Sequence, residues 1–309
     1  MTVYKGIKGF NVQSLATDPL ATGVAGATWS SGGNLNTARS AGAASNQGTQ
    51  DASLYFAGYT GSKVGVTEKY NGSAWTEVND LNTARQLPSG AGTMDSALCI
   101  SGETTAIVGI CEAFDGTNWT ETGDLNSHTG RQVIGSAGAS SSAVVAYGGS
   151  NTIALTEVFD GSSWTEVNNM NTARYNMGNA GISTAALTFG GATTAGVALV
   201  ESWNGTSWTE VADLNTARTQ LAGAGSQTSA IAFAGLAATG NVAITESWNG
   251  TGWTEVADMA TARITLGGAG TTGTSALAIG GSPGNWTTTT NATEEFTAAT
   301  ITDTIKNEG

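Results

Sequence analysis

Six tryptophans fall at a nearly fixed interval along the chain, and no other feature restricts its fold as much. Trp29, Trp75, Trp119, Trp164, Trp208 and Trp253 are separated by 46, 44, 45, 44 and 45 residues. Six positions after each comes Leu35, Leu81, Leu125, Met170, Leu214 or Met259. A period of this length implies stacked supersecondary units, each unable to bury its apolar face alone. The next landmark is Asn-Thr-Ala-Arg, ending at Arg39, Arg85, Arg174 and Arg218, with variants ending at Arg131 (Asn-Ser-His-Thr-Gly-Arg) and Arg263 (Ala-Thr-Ala-Arg).

Each unit reads as four strands. After the arginine lies a Gly/Ala-rich segment, then a short apolar run closed by glycine, such as Val144 to Gly149 or Ala186 to Gly191. Runs of this length bounded by glycine read as buried strands. A third strand follows, as in Ile244-Thr245-Glu246-Ser247-Trp248, where alternation puts Ile244, Glu246 and Trp248 on one face. Asn71-Gly72, Asp115-Gly116, Asp160-Gly161, Asn204-Gly205 and Asn249-Gly250 come next, which predicts type I′ hairpins into the tryptophan strand. Four antiparallel strands per unit with short turns describe a propeller blade, and radial closure hides most sheet edges.

The expectation is therefore an all-β fold, a six-bladed β-propeller over residues 23–298, with an N-terminal arm at 1–22 and a C-terminal tail at 299–309. The chain starts on a tryptophan strand without partners and ends on Thr293-Glu294-Glu295-Phe296, a third strand without its fourth. The N-terminal strand is expected to close the ring. The alternative has Ala298 to Thr304 complete the last blade, with Ile301 at the tryptophan position.

Composition narrows function. Of 309 residues 24 are acidic and 11 basic, a formal net charge of -13, which argues against an electrostatic grip on nucleic acid or anionic lipid. Met1 to Phe10 is not followed by the apolar run of a signal peptide, and no stretch approaches the length that spans a bilayer as a helix. Cys99 and Cys111 are too few for a disulfide framework and read as small apolar residues on neighbouring strands. No Cys/His cluster has metal-ligand spacing, so no metal or other cofactor is expected.

The charge pattern is sharper. Six third-strand glutamates, Glu68, Glu112, Glu157, Glu201, Glu246 and Glu294, match the six repeat arginines, and partly buried bridges within or between blades are expected, with a structural and not a catalytic role. The recurring tryptophans and a second aromatic set, Tyr70, Phe114, Phe159, Trp203, Trp248 and Phe296, read as blade packing rather than sugar platforms. Glu77, Glu121, Glu166, Glu210 and Glu255, with Asp80, Asp124, Asp213 and Asp258, read as a solvated acidic rim, a weak cation site being the alternative. His128 is the only histidine, which leaves little for a Ser-His-Asp arrangement. Lys63, His128 and Trp286 sit in irregular loops and are the candidates for a surface contact.

The apolar strand ending in Gly-Gly, the aromatic followed by Asp or Asn, the Trp and the Arg together resemble the kelch repeat from about Ala27 to Phe296. The spacing from aromatic to Trp, for example Phe159 to Trp164, is one or two residues shorter than the family's usual one. The segment Lys5 to Pro19 and the low-charge array resemble the kelch-like virion proteins of marine bacteriophages. That resemblance implies a non-catalytic structural protein of the virion, tail- or capsid-associated and assembled in the host cytoplasm. Its arm would contact other virion proteins, and its propeller would face a host surface glycan or protein. The alternatives are a free-standing bacterial carbohydrate- or protein-binding propeller and, third, an acidic-site glycan hydrolase; the short, uniform loops argue against the last.

Overall fold

The computed structural model describes residues 26–126, 131–285 and 287–298. Every regular element among them is a β-strand. The first, β1 (Thr28–Ser31), joins the ring last. Blade 1 is β2 (Ala43–Ala44), β3 (Ser53–Phe56), β4 (Thr67–Tyr70) and β5 (Trp75–Val78); blade 2 is β6 (Ser89–Thr93), β7 (Ser96–Glu103), β8 (Ile107–Phe114) and β9 (Trp119–Thr122). Blade 3 is β10 (Gly135–Ser140), β11 (Ala143–Tyr147), β12 (Thr156–Phe159) and β13 (Trp164–Val167), and blade 4 is β14 (Gly178–Ile182), β15 (Ala185–Phe189), β16 (Val200–Trp203) and β17 (Trp208–Val211). Blade 5 has β18 (Ala222–Gly225) and β19 (Ala230–Phe233), a small hairpin of β20 (Leu236–Ala237) and β21 (Gly240–Asn241), then β22 (Thr245–Trp248) and β23 (Trp253–Glu255). Blade 6 is β24 (Gly267–Thr272), β25 (Ser275–Ile279) and β26 (Thr293–Thr297), completed by β1.

All blades are antiparallel sheets in sequence order, and the innermost strands β2, β6, β10, β14, β18 and β24 contact their neighbours around one axis. The molecule is a six-bladed β-propeller. Trp29 pairs with Phe296 and Ser31 with Glu294, the register that Trp75 and Tyr70 keep in blade 1. The N-terminal strand closes the ring because it carries the tryptophan that the last unit lacks. At this seam the Tyr70 hydroxyl donates to Glu295 at 2.6 Å and accepts from the Gly33 N–H. Burial, and secondarily that carboxylate, pushes the phenol up to about 12.

The core is divided rather than central. Six buried clusters each lie between two adjacent blades, for example Leu98, Ile100, Val144, Phe159 and Trp164 between blades 2 and 3. Within each blade the tryptophan packs on the second aromatic, as Phe159 on Trp164 at 5.0 Å between ring centroids. Each tryptophan also reaches the preceding blade. Trp29, Trp75, Trp119 and Trp208 donate their indole N–H to Thr245, Thr293, Thr67 and Thr156 at 3.0 to 3.1 Å. Where Cys111 and Val200 stand in place of the threonine, Trp164 turns to the Gly123 carbonyl and the Trp253 N–H has no partner among the described residues.

The expected type I′ hairpins are not present. Tyr70 pairs directly with Trp75, so four residues lie in the turn, and only its glycine has positive φ, 88° at Gly72 and 100° at Gly161. The asparagine or aspartate keeps an ordinary φ because its side chain accepts the N–H groups two and three residues on. Asp160 does so from Ser162 and Ser163, and these bonds push its carboxyl down to about 2.

Candidate functional site

Successive strands are antiparallel, so the chain presents two distinct faces. One carries the turns between first and second and between third and fourth strands, the other the second-to-third loops and the linkers that cross from the outer strand of one blade to the inner strand of the next. The linker face is where the recurring charges act. Arg85–Glu112, Arg131–Glu157, Arg174–Glu201, Arg218–Glu246 and Arg263–Glu294 form ion pairs of 3.1, 2.6, 2.8, 3.2 and 2.8 Å, and Arg39–Glu68 completes the set. They are fully rather than partly buried, and each joins a linker to the third strand of the blade it enters.

The Asn-Thr-Ala-Arg motif is a sleeve around that carboxylate. In the linker into blade 5, Glu246 accepts the N–H of Asn215 at 2.7 Å, its side-chain amide at 2.9 Å and the N–H of Thr216 at 3.3 Å, and Arg218 pairs with it. The arginine also donates to strand carbonyls, as Arg174 does to Gly190 and Leu199 at 2.8 and 2.7 Å. A desolvated anion surrounded by donors and a guanidinium bonded on several edges satisfy each other. Burial pushes the guanidinium of Arg131, Arg174, Arg218 and Arg263 below its ordinary value, and the facing glutamate opposes that shift. The chemistry of the twelve residues is thereby directed inward, to holding the ring.

The acidic rim divides in two. Asp80, Asp124, Asp213 and Asp258 each accept an N–H near the start of a third strand, as Asp258 does from Thr245 at 3.0 Å. Glu77, Glu121, Glu166, Glu210 and Glu255 are exposed on the outer strands. Cys99 and Cys111 are free and buried on adjacent strands; burial pushes the Cys111 thiol up to about 12. Of the three loop candidates, His128 and Trp286 lie outside the described residues. Lys63 is not an open contact, because its ammonium pairs with Glu103 of the next blade at 2.7 Å and bonds the Thr104 carbonyl.

What sequence reading missed lies at the axis. The second residue after each arginine, Ala41, Leu87, Val133, Asn176, Gln220 and Thr265, has φ between 52° and 56°. Their backbones form a closed ring. Each N–H donates to the carbonyl of the equivalent residue one blade back, and Ala41 donates to Thr265, with distances from 2.7 to 3.3 Å. Only Asn176 is a residue that adopts this left-handed conformation readily; Val133 and Thr265 are β-branched, for which it is a true outlier.

The opposite end of the axis is closed by one turn of blade 1. The Asn46 side chain accepts from the Gly92 N–H and donates to the Ser136 carbonyl, and its own carbonyl accepts from Gly270. The Gln47 amide donates to the carbonyls of Gly181 and Gly225 at 2.9 and 3.3 Å. Two consecutive residues thus bond to all five other blades. A signal was present: Ser45-Asn46 stands where the other units read Ala-Gly, as in Ala91-Gly92 and Ala180-Gly181.

Between the Asn46–Gln47 seal and the backbone ring lies a cavity of about 130 Å³ that includes Asn46, Asn179, Asn176, Gln220 and Thr265 in its walls. A second, of about 230 Å³, is lined by Ser40, Ala41, Tyr59, Gln86 and Thr287. Ala41 belongs to both. Compared with known proteins, the chain matches no family model, and the search of curated proteins gives no significant match.

Proposed function

We propose that this chain is a non-catalytic display propeller of kelch-like type, a structural protein of a bacteriophage virion whose arm contacts other virion proteins and whose propeller meets a host surface glycan or protein. One observation carries the reading. The arginines and glutamates that recur in every blade are paired with one another inside the ring, whereas the six axial positions on the linker face carry a different side chain in each blade. A scaffold that holds six strand sets rigid while varying one surface suits recognition better than turnover.

The resemblance of Lys5 to Pro19 and of the Asn-Thr-Ala-Arg array to marine phage virion proteins supports the virion setting. Electron microscopy of the purified source particle, labelled with an antibody against the propeller, tests it. Label at the tail is the expected result for host adsorption, and label over the head the result for a capsid-associated role. Unlabelled particles would overturn the virion reading in favour of a free-standing bacterial carbohydrate- or protein-binding propeller.

A further inference from the structure

The axial cavity and the one that shares Ala41 with it differ in chemistry from the acidic rim. No Asp, Glu, Lys or Arg lines either of them, although the chain carries 24 acidic residues. Lys63 and Glu103, bridged to the lining residues Tyr59 and Gln86, pair with each other. Most of the axial wall is aliphatic or glycine, and its polar side chains are all amides and hydroxyls; the second cavity adds the Tyr59 ring. Such a surface offers no counter-charge to a charged ligand and several hydrogen-bonding groups to a neutral polar one.

Several polar groups of the linkers lack partners. The side-chain carbonyls of Gln132 and Gln220 and the hydroxyl of Thr219 are buried and receive no hydrogen bond from the described residues. Gln220 lines the axial cavity, whereas Thr219 and Gln132, at equivalent linker positions two blades apart, line neither cavity. Buried acceptors cost free energy unless a donor reaches them. The main-chain N–H groups at the crown are already taken by the ring of backbone bonds, so the side chains are left to do the reading. These positions could hold glycine at less steric cost, as the loop positions Gly235 and Gly281 do on the same face. The chain instead keeps six side chains in a strained conformation around the axis.

Geometry also fixes which end admits a ligand. Asn46 and Gln47 bond across the hairpin-face end to every other blade, leaving the linker face as the approach. We propose that the crown of the axial cavity binds a neutral, hydroxyl-rich ligand, the terminal sugar of a glycan. Gln220 accepts a hydrogen bond from one of its hydroxyls, Asn176 and Thr265 bond it from the wall, and Tyr59 offers an aromatic face where the second cavity begins. This deepens the display reading by naming the face and the ligand class.

The test is amide and side-chain NMR of the full chain, titrated with neutral monosaccharides (glucose, galactose, mannose and N-acetylglucosamine), with sialic acid as the charged probe and a neutral oligosaccharide ending in any sugar that binds. Expected is a shift of the Gln220 and Asn176 side-chain amides by at least one neutral sugar at millimolar concentration, none by sialic acid, and tighter binding of the oligosaccharide. The variant Gln220→Ala should weaken binding at least tenfold with an unchanged melting temperature, and Gln47→Glu at the sealed end should leave the affinity for the sugar unaltered. Silence of the crown amides with every neutral sugar, stronger binding of sialic acid, or sugar shifts that survive Gln220→Ala would each overturn the proposal. Antibody-labelled virions together with a silent crown remove the ligand and keep the virion reading, whereas sugar binding without label does the reverse.

Discussion

The girdle of linkers and the axis they surround are built on the same six-fold backbone and use side chains in opposite ways. In the girdle the residues hardly vary: Asn, Thr and Arg enclose a glutamate in nearly every blade, each with an identified partner. At the axis the backbone is equally regular, φ varying by only a few degrees, while the side chains run from alanine to glutamine. Where a side chain holds the ring, substitution is punished; where only the main chain holds it, the side chain is free to differ. The variable positions are therefore where individuality, and any recognition, can reside.

The largest break in the comparison should come from the girdle. Arg174→Met leaves Glu201 buried without its counter-ion and is expected to cost roughly 3 to 5 kcal/mol, with partial recovery when Glu201→Gln is added. Chemical denaturation of both variants measures this; equal stability of single and double variants would show that the pair is not coupled. Removing the axial turn comes next. Asn46→Ala strips partners from Gly92 and Ser136 and should cost about 1 to 3 kcal/mol, read in the same experiment, more than alanine at any exposed turn.

A gain is expected at the gap in the tryptophan series. Val200→Thr places a hydroxyl where the Trp253 indole lacks an acceptor and should add about 0.5 to 1.5 kcal/mol, whereas the same change at a position without an orphaned donor should not. Val133→Gly then tests the axis directly. Relief of the left-handed strain and the greater freedom of glycine when unfolded nearly cancel, so stability should move by less than about 0.5 kcal/mol, against a severe loss for Gly281→Val, whose Cβ would lie 2.8 Å from the Ile264 carbonyl. The smallest effect is at the hairpins. The depressed carboxyl of Asp160 contributes stability that is complete above its ordinary 3.8 and is lost as pH falls toward about 2. The melting temperature of Asp160→Asn should be flatter than wild type over that interval.

Most of the fold was legible because it repeats. The tryptophan interval gave the blade count, and the mismatch between the first strand and the last gave the closure, since a register shared by six units leaves one pairing for the odd ends. Turn chemistry was less legible: Asn-Gly was read as a two-residue hairpin, yet Tyr70 and Trp75 already had four residues between them. Lys63 illustrates a different limit. Its partner Glu103 is 40 residues away, in the next blade, and no local pattern marks the pair.

The axial site lay beyond the sequence for the same reason. Ala41 and Thr265 are 224 positions apart in the chain, yet they are neighbours in one ring of hydrogen bonds. Strand periodicity, glycine-bounded runs and a matched set of six acids and six bases are local or periodic, so the sequence by itself determined the blades, their number and the residues of the girdle. Which atoms meet across the axis depends on closing all six blades, because a ring brings together residues separated by one, two or five repeats alike. Only the tertiary structure decided that the glutamates are fully enclosed, that Asn46 and Gln47 seal one end, and that the variable side chains face one opening.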